Sequence, residues 1–288
     1  MPQTVRRKPN FVAGAEIDGV DIPMTATEQP ATPGGELSGD TTQEQLDELD
    51  SRIGSLRRLI EMDSFIEERD YFFGGTTEDG EIGQLGWLAD LVATANITLA
   101  AAADSGNFGF AIMSVVANAD VATISRHIVH MEGSPAFTWA CRCKIPVLNN
   151  GTNDFTIEIG LGNVKTGTEH TNGYYFRYSS ADNTWHFKTA DASTRGDTDT
   201  NVAASTGWVW FIIQCDGDPS SPMIRAWIED SLADWDNGNA TPVATHSTAN
   251  TIPDVGDIYG PVFKVIKTAG SGSKGFRVGR YFLRVEHT

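Results

Sequence analysis

FTWACRCKI, residues 137–145, alternates without a break. Phe137, Trp139, Cys141, Cys143 and Ile145 are apolar, and Thr138, Ala140, Arg142 and Lys144 stand between them. Successive side chains of a strand point to opposite faces, so this stretch is a strand with one buried face and one wet face. FTIEIGL (155–161) repeats the pattern, with Phe155, Ile157, Ile159 and Leu161 inside. YYFRY (174–178) and WHFK (185–188) flank SSADNT and read as a hairpin. WVWFIIQC (208–215) is apolar on both faces until Gln214, which places it centrally in a sheet. MIRAWIE (223–229), PVFKVI (261–266) and FRVGRYFLRVE (276–286) complete the set. In the last run the apolar phase shifts across Gly279, from Phe276 and Val278 to Tyr281, Leu283 and Val285, as a β-bulge requires. LADLVATANITLAAAA (88–103) is rich in Ala but lies between Gly86-Trp87 and Gly106, and reads as strand. Short strands punctuated by Gly, Asn and Asp predict a mainly β chain, with an antiparallel β-sandwich over residues 66–288.

The first 65 residues have a different texture. Residues 1–40 are rich in Pro and Gly and too poor in apolar residues to build a core. Within them, Phe11, Val12, Ile17, Val20 and Ile22 are spaced to add an extended strand to a partner surface. The segment reads either as an anchoring arm that orders on docking or as a tail. Residues 41–65 read as a helix that begins at a capping box. Leu46, Leu49, Ile53, Leu56 and Ile60 recur at steps of 3 and 4, an a/d heptad stripe. The stripe is narrower than the apolar face of a helix packed on a globular core. It points to like helices packing on one another; packing on the chain's own β-domain is the competing reading. Ile at a and Leu at d leans toward two strands in a parallel coil, but so short a seam does not set the strand number.

Composition narrows the function. The net charge is −17, which disfavours nucleic acid as a general partner. Between Glu44 and Glu81 there are twelve acidic and four basic side chains, a local net of −8. No apolar run reaches the length of a membrane span, and no apolar stretch of signal-peptide type follows MPQTVRRKPN. Cys141, Cys143 and Cys215 lack framework or zinc spacing and read as free, buried thiols made in a reducing compartment.

The order of several stretches resembles virion proteins of tailed bacteriophages that carry a concanavalin A-like (laminin-G-like, lectin/glucanase) jelly-roll domain. The stretches are DYFFGG (70–75), GEIGQLGW (80–87), IEIGLGN (157–163), NGYYFRYSSADNTWHFKT (172–189), STGWVWFIIQC (205–215) and GPVFKVIKTAGSGSKGFRVGRYFLR (260–284). The resemblance implies a homotrimer displayed on the particle, as a capsid decoration, head-fibre or tail-fibre protein. Head decoration is the first expectation. The arm would hold major capsid or other virion proteins, and the jelly roll would be exposed. The alternative is a tail fibre or adhesin whose sandwich binds host surface glycan.

The same residues carry few signs of catalysis. The glucanases of this fold carry paired carboxylates in an E-x-D-x-E pattern, as glycosidic hydrolysis needs. Here Glu158 stands alone, with Gly160 and Gly162 where its partners would be, so no catalytic residue is assigned. DWDNGN (234–239) lacks the later ligands of a calcium loop and reads as a surface turn. His127 and His130 read as structural or surface histidines. No nucleotide-binding or hydrolase motif occurs, and no cofactor or metal is expected. Among the tryptophans, Trp139, Trp208 and Trp210 are expected in the core. Trp185 and Trp235, beside turn sequences, are the candidates for stacking on a glycan.

Overall fold

The computed structural model describes residues 65–72, 82–101, 109–126, 131–132, 134–179, 183–218, 220–254 and 256–286. Phe11, Val12, Ile17, Val20 and Ile22 of the expected arm lie outside the described residues, as do Leu46, Leu49, Ile53, Leu56 and Ile60, and His127 and His130.

Two eight-stranded antiparallel sheets face each other. Sheet I runs, in spatial order, β14 (Ala244–His246), β13 (Ile224–Glu229), β12 (Trp208–Cys215), β7 (Phe137–Lys144), β16 (Lys274–Glu286), β4 (Gly109–Val115) and β3 (Asn96–Ala101). Strand β1 (Phe65–Asp70) pairs with the second half of β16, so Phe65 is already strand rather than the end of a helix. Sheet II runs β11 (Thr194–Ala203), β10 (Thr184–Asp191), β9 (Gly173–Tyr178), β8 (Phe155–Gly162), β15 (Ile258–Lys267), β5 (Val121–Ser125) and β2 (Leu88–Val92), with β6 (Met131–Glu132) on β15. The Ala-rich stretch is therefore strand: β2, a turn, and β3.

Alternation fills the space between the sheets. Trp139, Cys141, Phe155, Ile157, Ile159, Phe176 and Phe263 are all buried there. The three cysteines are free and buried, with the Cys141 and Cys143 sulfurs 3.4 Å apart on one face. The register of β16 against β7 shifts between Val278 and Arg280, which is the expected bulge at Gly279.

Two carboxylates tie turns to this core. Asp70, at the end of β1, is fully buried. It accepts from Phe72 N (2.7 Å), Gln84 N (3.2 Å), Leu85 N (2.9 Å) and the Trp87 indole (2.9 Å). That holds Trp87 against Phe72 (5.3 Å), Phe263 (5.3 Å) and Tyr281 (4.8 Å). Asp120 accepts from the Thr94 side chain and backbone and from Val116 N and Ala117 N, joining the β2–β3 turn to the end of β4. Burial works to raise the Asp120 pKa, but these bonds outweigh it and hold the carboxyl at about 2.

Two outcomes follow. Asp70→Ala strands four donors, two of them buried, and should destabilise the domain by roughly 3–5 kcal/mol, measured by urea unfolding. Asp120 titrates lower in the folded chain than its ordinary value of 3.8, so its contribution is complete above that value and is lost as pH falls toward about 2. The unfolding free energy of Asp120→Asn should lose less than that of the parent over that window.

Candidate functional site

The outer face of sheet I carries the side chains that alternate with the core. On β12 these are Trp208, Trp210 and Ile212, opposite the inward Val209, Phe211 and Ile213. The outer side of β12 is apolar because residues 231–240 fold over it. Helix α1 (Leu232–Asp236) starts at Ser231, whose hydroxyl accepts from Ala233 N at 3.3 Å. Leu232, Trp235 and Ala240 pack on Ala140, Trp210, Ile212 and Trp227. Trp227 meets Trp235 edge to face at 6.1 Å, a favoured arrangement of two rings.

Beside this small second core a groove of about 460 Å³ opens along the sheet, within the usual range of small-molecule sites. Trp210, Trp235, Phe282 and Tyr71 supply its aromatic surface. Arg69, Arg280 and Arg284 line it with Glu67 and Asp236. The register explains the grouping: Arg69 lies opposite Phe282, Glu67 opposite Arg284, and Arg280 opposite Arg142. Arg69 also lies over the Phe282 ring at 5.4 Å and pairs with Glu67 at 2.6 Å. A flat apolar surface edged by guanidinium donors can stack a ring-shaped polar molecule and hydrogen-bond its rim.

Sheet II handles its charges in another way. Glu158 and Lys264 are buried side by side, 2.6 Å apart, on β8 and β15. Lys264 also donates to Val164 O (3.2 Å) and Thr168 O (2.7 Å) of the loop that covers them. His170, in the same loop, accepts from Val164 N through Nδ1, so Nε2 carries its proton and faces Glu158 at 3.4 Å. Burial raises the Glu158 pKa against the pull of Lys264, and burial holds His170 well below its ordinary value and so neutral. A Cβ at Gly162 would stand 2.4 Å from the His170 ring, and one at Gly160 would stand 2.4 Å from Tyr174 O. Both glycines are there because neighbours press on the backbone, which leaves no room for a second carboxylate. Glycosidic hydrolysis needs two carboxyls facing an open cleft; Glu158 is sealed under a loop and ion-paired.

The sequence-derived candidates fare differently. Trp185 is not a surface residue: it is 4% exposed and packs on Phe211 (4.6 Å) and Tyr178 (5.6 Å), its edge reaching a second cavity of about 250 Å³. Its alternation with Phe187 on β10 outweighs its nearness to a turn. Trp235 is half-buried and lines the groove. Trp139 is in the main core and Trp210 in the smaller core on the outer face of sheet I, as expected, whereas Trp208 is only half-buried on that face. Tyr71, Phe282, Arg69 and Arg280 were not singled out by sequence, although the alternation of β16 carries the signal for Phe282. Among the described residues no group of three His, Cys, Asp or Glu side chains is arranged to hold a metal ion, and no helix is long and apolar enough to cross a membrane.

Comparison with known proteins reaches the fold and stops there. No family model matches the chain, and no curated protein matches it. A protein of unknown function from Shewanella oneidensis is similar in structure, with a TM-score of 0.55 and 9% identity over 77% of this chain and 87% of that one. The binding domain of botulinum neurotoxin serotype G gives 0.45 and 14% over 75% of this chain, which spans only 46% of that domain. A β-1,3-glucanase from Mycobacterium marinum gives 0.40 and 16% over 76% and 90%.

The buried pair makes a clear prediction. Lys264→Met leaves Glu158 buried with only Arg177, 3.6 Å away, as a countercharge and should destabilise by about 3–5 kcal/mol, whereas Glu158→Leu combined with Lys264→Met should recover most of that loss. Denaturant unfolding of the two variants decides it.

Proposed function

We propose that the sandwich is a non-enzymatic binding domain that holds carbohydrate in the groove on the outer face of sheet I. The observation that carries this reading is the aromatic surface of Trp210, Trp235, Phe282 and Tyr71 edged by arginines. Aromatic faces stack on the apolar faces of sugar rings, and guanidinium groups reach the hydroxyls around them. The setting we propose is the exposed part of a tailed-phage virion protein, a fibre or adhesin that touches host surface glycan. Affinity electrophoresis and a glycan array with the whole chain test it. Retardation by a bacterial polysaccharide should weaken about tenfold or more in Trp235→Ala and Phe282→Ala, in line with the loss of one stacked ring. Absence of carbohydrate binding, or binding untouched by both changes, would sink this reading.

A second reading is favoured by the heptad stripe. In it the chain is a trimeric capsid decoration or head-fibre protein, held to the particle by the arm at residues 1–40 and clamped through Leu46, Leu49, Ile53, Leu56 and Ile60. Light scattering should give the mass of a trimer, and Leu49→Asp with Leu56→Asp should lower it. A monomer in the parent chain would remove the clamp.

A further inference from the structure

The second cavity, of about 250 Å³, shares no lining residue with the groove. It opens at the end of the sandwich where β7 and β13 stop and β12 begins, among Ile145, Asp230 and Gly207. Its floor reaches between the sheets. Cys143, Phe211 and Phe276 line it from sheet I and Trp185 from sheet II, and all four belong to the main core. The register gathers the walls: Val209 lies opposite Cys143, and Phe211 opposite Ile228. Trp185 meets Phe211 edge to face at 4.6 Å, so two rings stand at an angle around the space.

The mouth has the opposite character. Glu229 ends β13 and Asp230 follows it, and both line the cavity. Among the described residues neither has an ion pair or a side-chain hydrogen bond. Asp234, on helix α1, adds a third carboxylate close by. Burial pushes the Glu229 carboxyl up, and Asp234 and Asp230 push it the same way. Lys144 also lines the cavity, but its ammonium lies over the Trp208 ring at 5.9 Å, and the charges that act on Glu229 are carboxylates.

Size and chemistry together select an occupant. A dry apolar cavity of about 150 Å³ takes a benzene ring. The larger volume here leaves room for a ring and a short chain that ends at the carboxylates. From this apolar, ring-walled cavity with a carboxylate mouth, we infer that the end of the sandwich binds a small molecule made of an aromatic ring and a protonated amine, an arylalkylamine. The ring packs on Trp185, Phe211 and the Cys143 sulfur, since tilted rings and soft sulfur are favourable neighbours of an aromatic face. The ammonium meets Glu229 and Asp230 and relieves the repulsion among three carboxylates. A neutral ligand leaves that repulsion in place, and an anionic one adds to it. The inference is independent of the carbohydrate reading of the groove.

Ligand-observed NMR titration of the whole chain at neutral pH tests it, with phenethylamine as the probe. A primary amine of this kind is protonated at that pH. 2-Phenylethanol keeps the ring and loses the charge, and ethylamine keeps the charge and loses the ring. Phenethylamine should bind, and each of the other two should bind about tenfold or more weakly than it does. Glu229→Gln with Asp230→Asn should lower the phenethylamine affinity about tenfold and leave that of 2-phenylethanol unchanged. Glu229 is half-buried and Asp230 exposed, so the control for folding is a thermal midpoint no lower than the parent's. The three probes on the parent chain decide the matter without any variant. Equal affinity for phenethylamine and 2-phenylethanol overturns the amine, and equal affinity for phenethylamine and ethylamine overturns the ring. Phenethylamine binding untouched by the double change overturns the placement at this mouth, and no binding of phenethylamine overturns the site.

Discussion

The Asp70 carboxylate is the constraint on which both faces of sheet I depend. It ends β1 with its side chain inward and gathers three backbone N–H groups and the Trp87 indole. Trp87 is thereby fixed where the sheets meet, against Phe263 of sheet II and Tyr281 of sheet I. Because side chains alternate along an extended chain, an inward Asp70 leaves its neighbours Arg69 and Tyr71 on the groove side. One buried carboxylate therefore sets the packing of the core and the aim of two groove residues. A charge so buried is tolerable only with its full set of donors, which is why the turn at 82–87 is drawn in so tightly.

The two outer faces pack their charged side chains against different neighbours. On sheet II, Glu158, Glu169 and Asp197 meet Lys264, Lys188 and Arg177, and the loop at 163–172 closes over the innermost pair. Those contacts cement a wall. On sheet I, rings lie beneath the cations. The covering residues at 231–240 give Trp210 and Trp227 a dry side.

Much of the sandwich was legible in the sequence, because period-two alternation survives in single strands. FTWACRCKI showed its buried and wet faces, and the phase shift at Gly279 announced the bulge in β16. Trp185 shows where the reading slipped. Its place beside a turn suggested exposure, yet its alternation with Phe187 points inward, and in a sandwich the end of a hairpin strand still lies over the core. Of the tryptophans expected in the core, only Trp208 falls short, half-buried on the outer face of sheet I. The rest of that strand, apolar on both faces, has core on both sides: Phe211 and Ile213 between the sheets, Trp210 and Ile212 in a separate cluster beneath helix α1.

The amino-acid sequence by itself determined the class of fold, most strand positions, the free buried thiols and the loneliness of Glu158. Each of these follows from local pattern or from counting residues, and local pattern is what a strand's geometry imposes directly. Only the tertiary structure decided that Arg142 and Lys144 stand beside Arg280 and Arg277, that Tyr71 and Arg69 join Phe282 and Trp235 in one groove, and that His170 seals Glu158. Those neighbours are separated by up to about two hundred residues along the chain. Their meeting depends on which strands pair and in what register, a choice made by the packing of the whole core rather than by any single stretch.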